Sequence, residues 1–102
     1  MATLRKKIIA ANWKMNMTYQ AGEKLLDDIL GANIKLAIHQ QTIFAVPYPY
    51  LLMARSEVDG ALHYDVAAQN CYNKKSGAYT GEVSVEMLHS IGVRRSYGVV
   101  GD

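Results

Sequence analysis

The hydrophobic and polar positions of the chain alternate between short continuous apolar runs and longer stretches with helical spacing. Ile8-Ile9-Ala10-Ala11 is a continuous apolar run bounded by charge, which predicts a first strand buried on both faces, as in a parallel sheet. Thr18 is placed to cap a following helix in which Leu25, Leu26, Ile29 and Leu30 recur at helical spacing, Asp27 and Asp28 face solvent and Gly31 ends the element. The stretch Asn33 to Gln41 fits either period: Ile34, Ala37 and Ile38 are spaced as in a helix, whereas Ile34, Leu36 and Ile38 alternate as in a strand. Thr42-Ile43-Phe44-Ala45-Val46 is rich in strand formers and stops at Pro47, which cannot donate to a central ladder.

The same rhythm continues beyond it. Leu51 to Glu57 reads as a short helix, Asp65-Val66-Ala67-Ala68 as a third buried strand, and Lys74 to Glu82 as a loop with Gly77 and Gly81. A last helix has Val85, Leu88 and Ile91 inward, Gly92 at its end and Thr80 or Ser84 as its cap, with Glu82 near its start suiting the helix dipole; Tyr97 to Val100 opens a fourth strand. Alternating strands and helices imply an α/β fold with a parallel sheet, either an open sheet or a closed barrel, and spacing does not separate the two. No internal repeat or linker divides the chain, so residues 1–102 are expected to form one domain or part of one.

Composition narrows the functional classes. Half of the 102 residues are apolar, and eleven basic and nine acidic residues are scattered without the concentrated basic stripe that nucleic acids favour. Arg94 and Arg95 are the only arginine pair, and Arg5, Lys6 and Lys7 read as a solvated strand end. No run approaches the ~18 apolar residues of a membrane span. One cysteine, Cys71, excludes an intramolecular disulfide, and with no signal-like N-terminus the expected setting is reducing and cytoplasmic. His39, His63 and His89 lack metal-ligand spacing, and no P-loop or GxGxxG pattern is present, so neither a metal nor an organic cofactor is expected.

Candidate chemistry lies where parallel α/β folds place it, after the C-terminal ends of strands. Lys14 can set an ammonium beside an anionic substrate, and Asn12 can donate a hydrogen bond that helps hold that side chain. Gln69 and Asn70 can fix neighbouring loops or receive the end of Lys14; Cys71 is read as packing. Ser76 to Glu82 is a projecting loop with Tyr79 and Thr80 near its tip, either an interface or an ordinary helix-entry loop.

Ala11-Asn12-Trp13-Lys14-Met15-Asn16 resembles the NWKMN signature that follows the first strand in the triosephosphate isomerase family. Val46-Pro47-Tyr48-Pro49-Tyr50-Leu51 resembles the turn after that family's second strand, and Ala68-Gln69-Asn70 through Gly77-Ala78-Tyr79-Thr80-Gly81-Glu82 its third strand and interface loop. The resemblance runs from about Arg5 to Val93 and is weakest from Gly31 to Gln41.

It implies a partial (β/α)₈ barrel, about three βα units and the start of strand four, and a part in interconverting dihydroxyacetone phosphate and glyceraldehyde 3-phosphate in glycolysis. By the same resemblance Asn12 and Lys14 are active-site residues that bind the triose phosphate, and Lys14 supplies positive charge to the phosphate and to the enediolate. The resemblance also implies that Gln69, Tyr79, Thr80 and Glu82 belong to a homodimer contact.

Family members continue strand four into a GHSER-type segment whose histidine polarises the substrate carbonyl. Here Gly101 is followed by Asp102, whose carboxylate would repel the developing oxyanion, and Arg94 to Val100 runs about two residues longer than the family pattern. The glutamate base, closing loop and later phosphate-binding segment have no counterpart, so the chain alone is expected to be inactive. The alternative expectation is an assembly module that self-associates or pairs with a complementary C-terminal barrel half. A flavodoxin-like domain of other function leaves the three signatures unexplained.

Overall fold

A computed structural model describes residues 5–100. Three strands, β1 (Lys7–Asn12), β2 (Gln40–Val46) and β3 (Tyr64–Ala68), form a parallel sheet in that order. Helix α1 (Tyr19–Gly31) joins β1 to β2, a 3₁₀ turn (Tyr48–Tyr50) and α2 (Leu51–Glu57) join β2 to β3, and α3 (Val85–Ser90) follows.

The side chains of β2 and β3 separate onto two faces by strand alternation. Phe44, Val46, Val66 and Ala68 join Leu26 of α1, Leu51, Met53 and Ala54 of α2, and Leu88 of α3 in one buried cluster. Ile43, Ala45 and Ala67 form a separate, smaller cluster on the opposite face. All three helices therefore cover the same side of the sheet. A doubly wound open sheet places helices on both sides; here the described helices lie on one side of three parallel strands, a partial βα arrangement. The smallest dimension, 21 Å, fits one sheet layer and one helix layer.

Several local signals act as the sequence predicts. The Thr18 hydroxyl accepts from the Ala21 N–H at 3.2 Å and starts α1; the Ser84 hydroxyl accepts from the Met87 N–H at 3.2 Å and starts α3, so the cap is Ser84 and not Thr80. Gly92, at φ 82, stands just past the C-cap Ile91, where a left-handed residue ends a helix. Pro47 ends β2.

Other expectations are corrected. The residues of β1 are exposed over most of their length, with Ile8 at 46% and Ile9 at 68%, because among the described residues β1 pairs only with β2 and no helix covers its outer half. Gly31 is the last residue of α1, not its terminator: Ala32 caps in a right-handed conformation and Asn33, at φ 54, is the left-handed residue that stops the helix. Asn33 to His39 is neither helix nor strand, and β2 begins two residues earlier than the apolar run, at Gln40, where the Gln40 side-chain oxygen accepts from the Ala37 N–H. Val85 is exposed on α3, leaving Leu88 as the buried anchor and Ile91 half-buried.

Instead of a regular fourth strand, isolated parallel bridges pair Ser96 with Ala68 and Val100 with Tyr72. The Ala68 N–H donates to Arg95 O, Tyr97 N–H to Ala68 O, Cys71 N–H to Gly98 O and Val100 N–H to Cys71 O. Residues 95–100 thus follow β3 as an irregular fourth ladder. Arg95 is anchored by Asp65, whose carboxylate also accepts from Arg55 at 3.2 Å; the Arg95 Nε bond is 3.0 Å. The expectation for Gly101 and Asp102 lies outside the described residues.

Where α1 meets α2 the chain carries an acidic contact. The Asp27 side chain as hydrogen-bond partner, then burial, then the charges of Asp27 and Glu23 push the Glu57 carboxyl up from 4.5 to about 7. The folded state then holds its proton more tightly than the unfolded chain, so stability falls as pH rises from about 4.5 through 7. Glu57→Gln is expected to stabilise the protein at pH 8 by about 1 kcal/mol, a value reduced from the full shift for solvent screening at a helix end, and to change little at pH 4. Thermal melts of both proteins at the two pH values check this; equal stabilisation at both would show that ionisation of Glu57 is not responsible.

Candidate functional site

The strand register brings the polar groups together at the C-terminal edge of the sheet. Asn12 lies opposite Ala45, and Ala45 opposite Ala67, so the three share one level and one face. Gln69, two residues beyond Ala67, emerges on the same side, and its amide reaches back across the strand ends. Its Nε2 donates to Lys14 O at 2.8 Å and lies 3.2 Å from Ala45 O and 3.4 Å from Asn12 Oδ1.

Lys14 has φ 55, a left-handed conformation that costs a residue with a side chain on the order of 1–3 kcal/mol and persists only where surrounding contacts impose it. The contacts are visible. Asn12 Oδ1 accepts from the Lys14 N–H at 2.9 Å, and Gln69 takes the Lys14 carbonyl. One residue earlier, the Trp13 N–H extends the sheet ladder to Ala45 O at 3.0 Å, and the indole is 7% exposed. The ring packs on Gly22 of α1, where a Cβ would come within 2.9 Å of it, so this helix position admits only glycine without moving the tryptophan. Asn16 Nδ2 donates to Trp13 O at 2.9 Å. Lys14 itself is exposed, its backbone fixed from both sides.

The motif pairs these residues, and the structure differs from the sequence expectation in how they touch. Asn12 was expected to hold the Lys14 side chain by donating; instead its oxygen accepts from the Lys14 backbone. Gln69 was expected to fix neighbouring loops or receive the end of Lys14; it fixes the loop, through the carbonyl. Asn70 does not join them: the Tyr48 hydroxyl donates to Asn70 O at 2.9 Å and also lies against Asn70 Oδ1. Burial, then the charges of Glu82 and Cys71, hold the Tyr48 pKa above its ordinary value. Cys71 is buried, as a packing residue should be.

Two contributors were missed. Trp13 anchors the loop by packing on Gly22, and Tyr50 ties its far end by donating from Oη to Met17 O at 2.8 Å. The apolar tryptophan inside a polar motif was the available signal for the first; nothing local signals the second.

Of the remaining candidates, Tyr79, Thr80 and Glu82 lie on a separate exposed loop. The Tyr79 ring folds back onto Tyr72, with centroids 4.6 Å apart, and over Gly77, whose φ of 143 and missing Cβ leave it room. The Glu82 N–H donates to Tyr79 O at 3.0 Å, and Thr80 is exposed between them. No side-chain hydrogen bond among the described residues joins this loop to the Asn12, Lys14 and Gln69 cluster. His39 and His63 precede β2 and β3 at the opposite edge of the sheet, and His89 is exposed on α3. Among the described residues no group of three or more histidine, cysteine or acidic side chains could hold a metal, and no helix is long and apolar enough to cross a membrane.

At this edge the sheet thus offers an exposed cation on a rigid left-handed turn, flanked by amides, and no carboxylate or imidazole hydrogen-bonded to it among the described residues. Such a group can neutralise an anion; it cannot by itself move a proton from carbon.

Residues 7–101 match the family model described as triosephosphate isomerase. The chain is 41% identical over 98 residues to the triosephosphate isomerase of Porphyromonas gingivalis strain W83, 40% over 98 residues to that of Vesicomyosocius okutanii, and 36% over 99 residues to that of Cytophaga hutchinsonii. Each alignment covers 96% of this chain and 38% of the relative, so the chain spans well under half the length of these relatives.

Proposed function

Because the chain belongs to the triosephosphate isomerase family, we propose that it contributes the phosphate-anchoring part of a (β/α)₈ barrel that interconverts dihydroxyacetone phosphate and glyceraldehyde 3-phosphate. The observation that carries this reading is the left-handed turn at Lys14, held by Asn12 and Gln69 at the C-terminal edge of the sheet. Strain retained at an exposed lysine, at the edge where such folds keep their chemistry, argues for a use of that lysine. In the reaction the Lys14 ammonium faces the substrate phosphate and the enediolate formed when a proton leaves carbon. Asn12 and Gln69 keep the turn from relaxing, so no reorganisation is needed as charge develops.

The proton transfers need a base and an electrophile, which the Lys14 turn does not supply, and on this proposal residues 5–100 alone do not turn over the substrate. The chain works within a complete barrel, whether one chain supplies all of it or a complementary C-terminal half pairs with this one. Gln69, Tyr79, Thr80 and Glu82 are proposed as dimer-contact residues, and the setting as cytoplasmic glycolysis.

A second reading, an assembly module, is favoured by the open edge of β1 with its exposed Ile8 and Ile9. The two readings differ in what Lys14 does. Titration with glycerol 3-phosphate, followed by amide NMR, is expected to perturb Lys14 in a saturable way, and Lys14→Met is expected to abolish the response with the fold intact. An unchanged response in the variant favours the assembly reading.

A further inference from the structure

The segment between β1 and α1 contains two left-handed residues with side chains, Lys14 at φ 55 and Met17 at φ 80. The first is fixed by Asn12 and Gln69, as described. The second is fixed by Tyr50, from the turn after β2, whose hydroxyl donates to Met17 O at 2.8 Å. The Tyr50 ring is itself seated, half-buried, edge-on to Tyr19 of α1 with centroids 6.3 Å apart. Within the segment, Asn16 bonds to Trp13 O and Thr18 caps α1, so Met17 lies between two tied points only four residues from the Trp13 anchor.

We infer that Tyr50 is a positioning residue for Lys14: its hydroxyl pins the far end of the segment and thereby holds the turn that presents the lysine. The inference rests on the proposed function, in which Lys14 meets an anionic substrate, but its physical content is the coupling of Met17 to Lys14. Without the hydroxyl, the exposed Met17 carbonyl is solvated by water and the residue is free to leave the left-handed region. Met15 and Asn16 then move, and the Lys14 turn loses its fixed downstream end. Thr18 does not substitute, because its hydroxyl fixes the helix start and leaves Met17 unbonded.

The test is Tyr50→Phe in the full chain, which keeps the ring and removes one oxygen. Solvent-exchange NMR of the Lys14 and Val66 amides is combined with glycerol 3-phosphate titration of the native chain, Tyr50→Phe and Lys14→Met. The expected result is Lys14 exchange faster by about 2- to 10-fold, the range that loss of one hydrogen bond supports, probe binding weaker by a similar factor and Val66 unchanged. Unchanged exchange at Lys14 overturns the inference and leaves the proposed function standing. Equal acceleration at Lys14 and Val66 also overturns it, because Tyr50 is then a general stability residue. If Lys14→Met binds the probe as the native chain does, the proposed function fails, while faster Lys14 exchange in Tyr50→Phe still establishes the coupling.

Discussion

Phe44→Ala is expected to lower the free energy of unfolding by about 3–5 kcal/mol, the range for emptying a buried aromatic site. Phe44 is 2% exposed in the central strand, and its ring lies parallel to that of Tyr64 with centroids 6.1 Å apart. The void cannot close readily, because β2 is hydrogen-bonded to β1 on one side and to β3 on the other, while Leu26, Leu51 and Leu88 reach the same cluster from three helices. A domain of this length has a total stability of roughly 5–15 kcal/mol, so the variant should melt well below the native chain or lack a cooperative transition. Urea unfolding gives the comparison. A loss below about 0.5 kcal/mol, the size typical of a surface substitution, would mean that the helices do not share a single core with β2.

The second large effect concerns chemistry. In an assembly where a second chain supplies the part of one of the relatives that this chain does not cover, the proposed function predicts that Lys14→Met reduces kcat/KM by at least ~100-fold, as for loss of one preorganised electrostatic group at a developing anion. The methylene stem is kept and only the charge removed, so packing around Trp13 and the bonds to Asn12 and Gln69, which use the Lys14 backbone, survive. Circular dichroism and melting should therefore match the native chain while steady-state kinetics do not. If kcat/KM falls less than tenfold, the rigid turn serves another purpose.

The parts of this structure legible in the sequence are those set by local chemistry. Thr18, Ser84, Gly92 and Pro47 each act within one turn of the backbone, and Phe44, Val46, Val66 and Ala68 belong to apolar runs that have only one sensible location. Errors arose where the answer depends on a neighbour. Ile8 and Ile9 read as a doubly buried strand because an apolar run records the environment it is suited to, and among the described residues β1 has a partner on one side only. Asn33 replaced Gly31 as the helix stop because either residue type tolerates a left-handed conformation, and the last turn extends one residue farther than the apolar spacing.

The site divides in the same way. Asn12 and Lys14 stand in one motif and were found together. Their clamp is nonlocal: Gln69 arrives from the end of β3 and Tyr50 from the turn after β2, 33 residues beyond the carbonyl it bonds. Composition offers no sign that an amide will spend its protons on a backbone carbonyl two strands away, and only the register of three strands makes it necessary.

The most direct measurement is turnover of glyceraldehyde 3-phosphate by this chain, purified from a host lacking its own isomerase, first alone and then mixed with a chain supplying the remainder of the barrel. The account predicts no turnover alone and turnover on mixing that depends on Lys14. Turnover by the chain alone, abolished by Lys14→Met, would contradict it, because base and electrophile would then both lie among the residues of this chain.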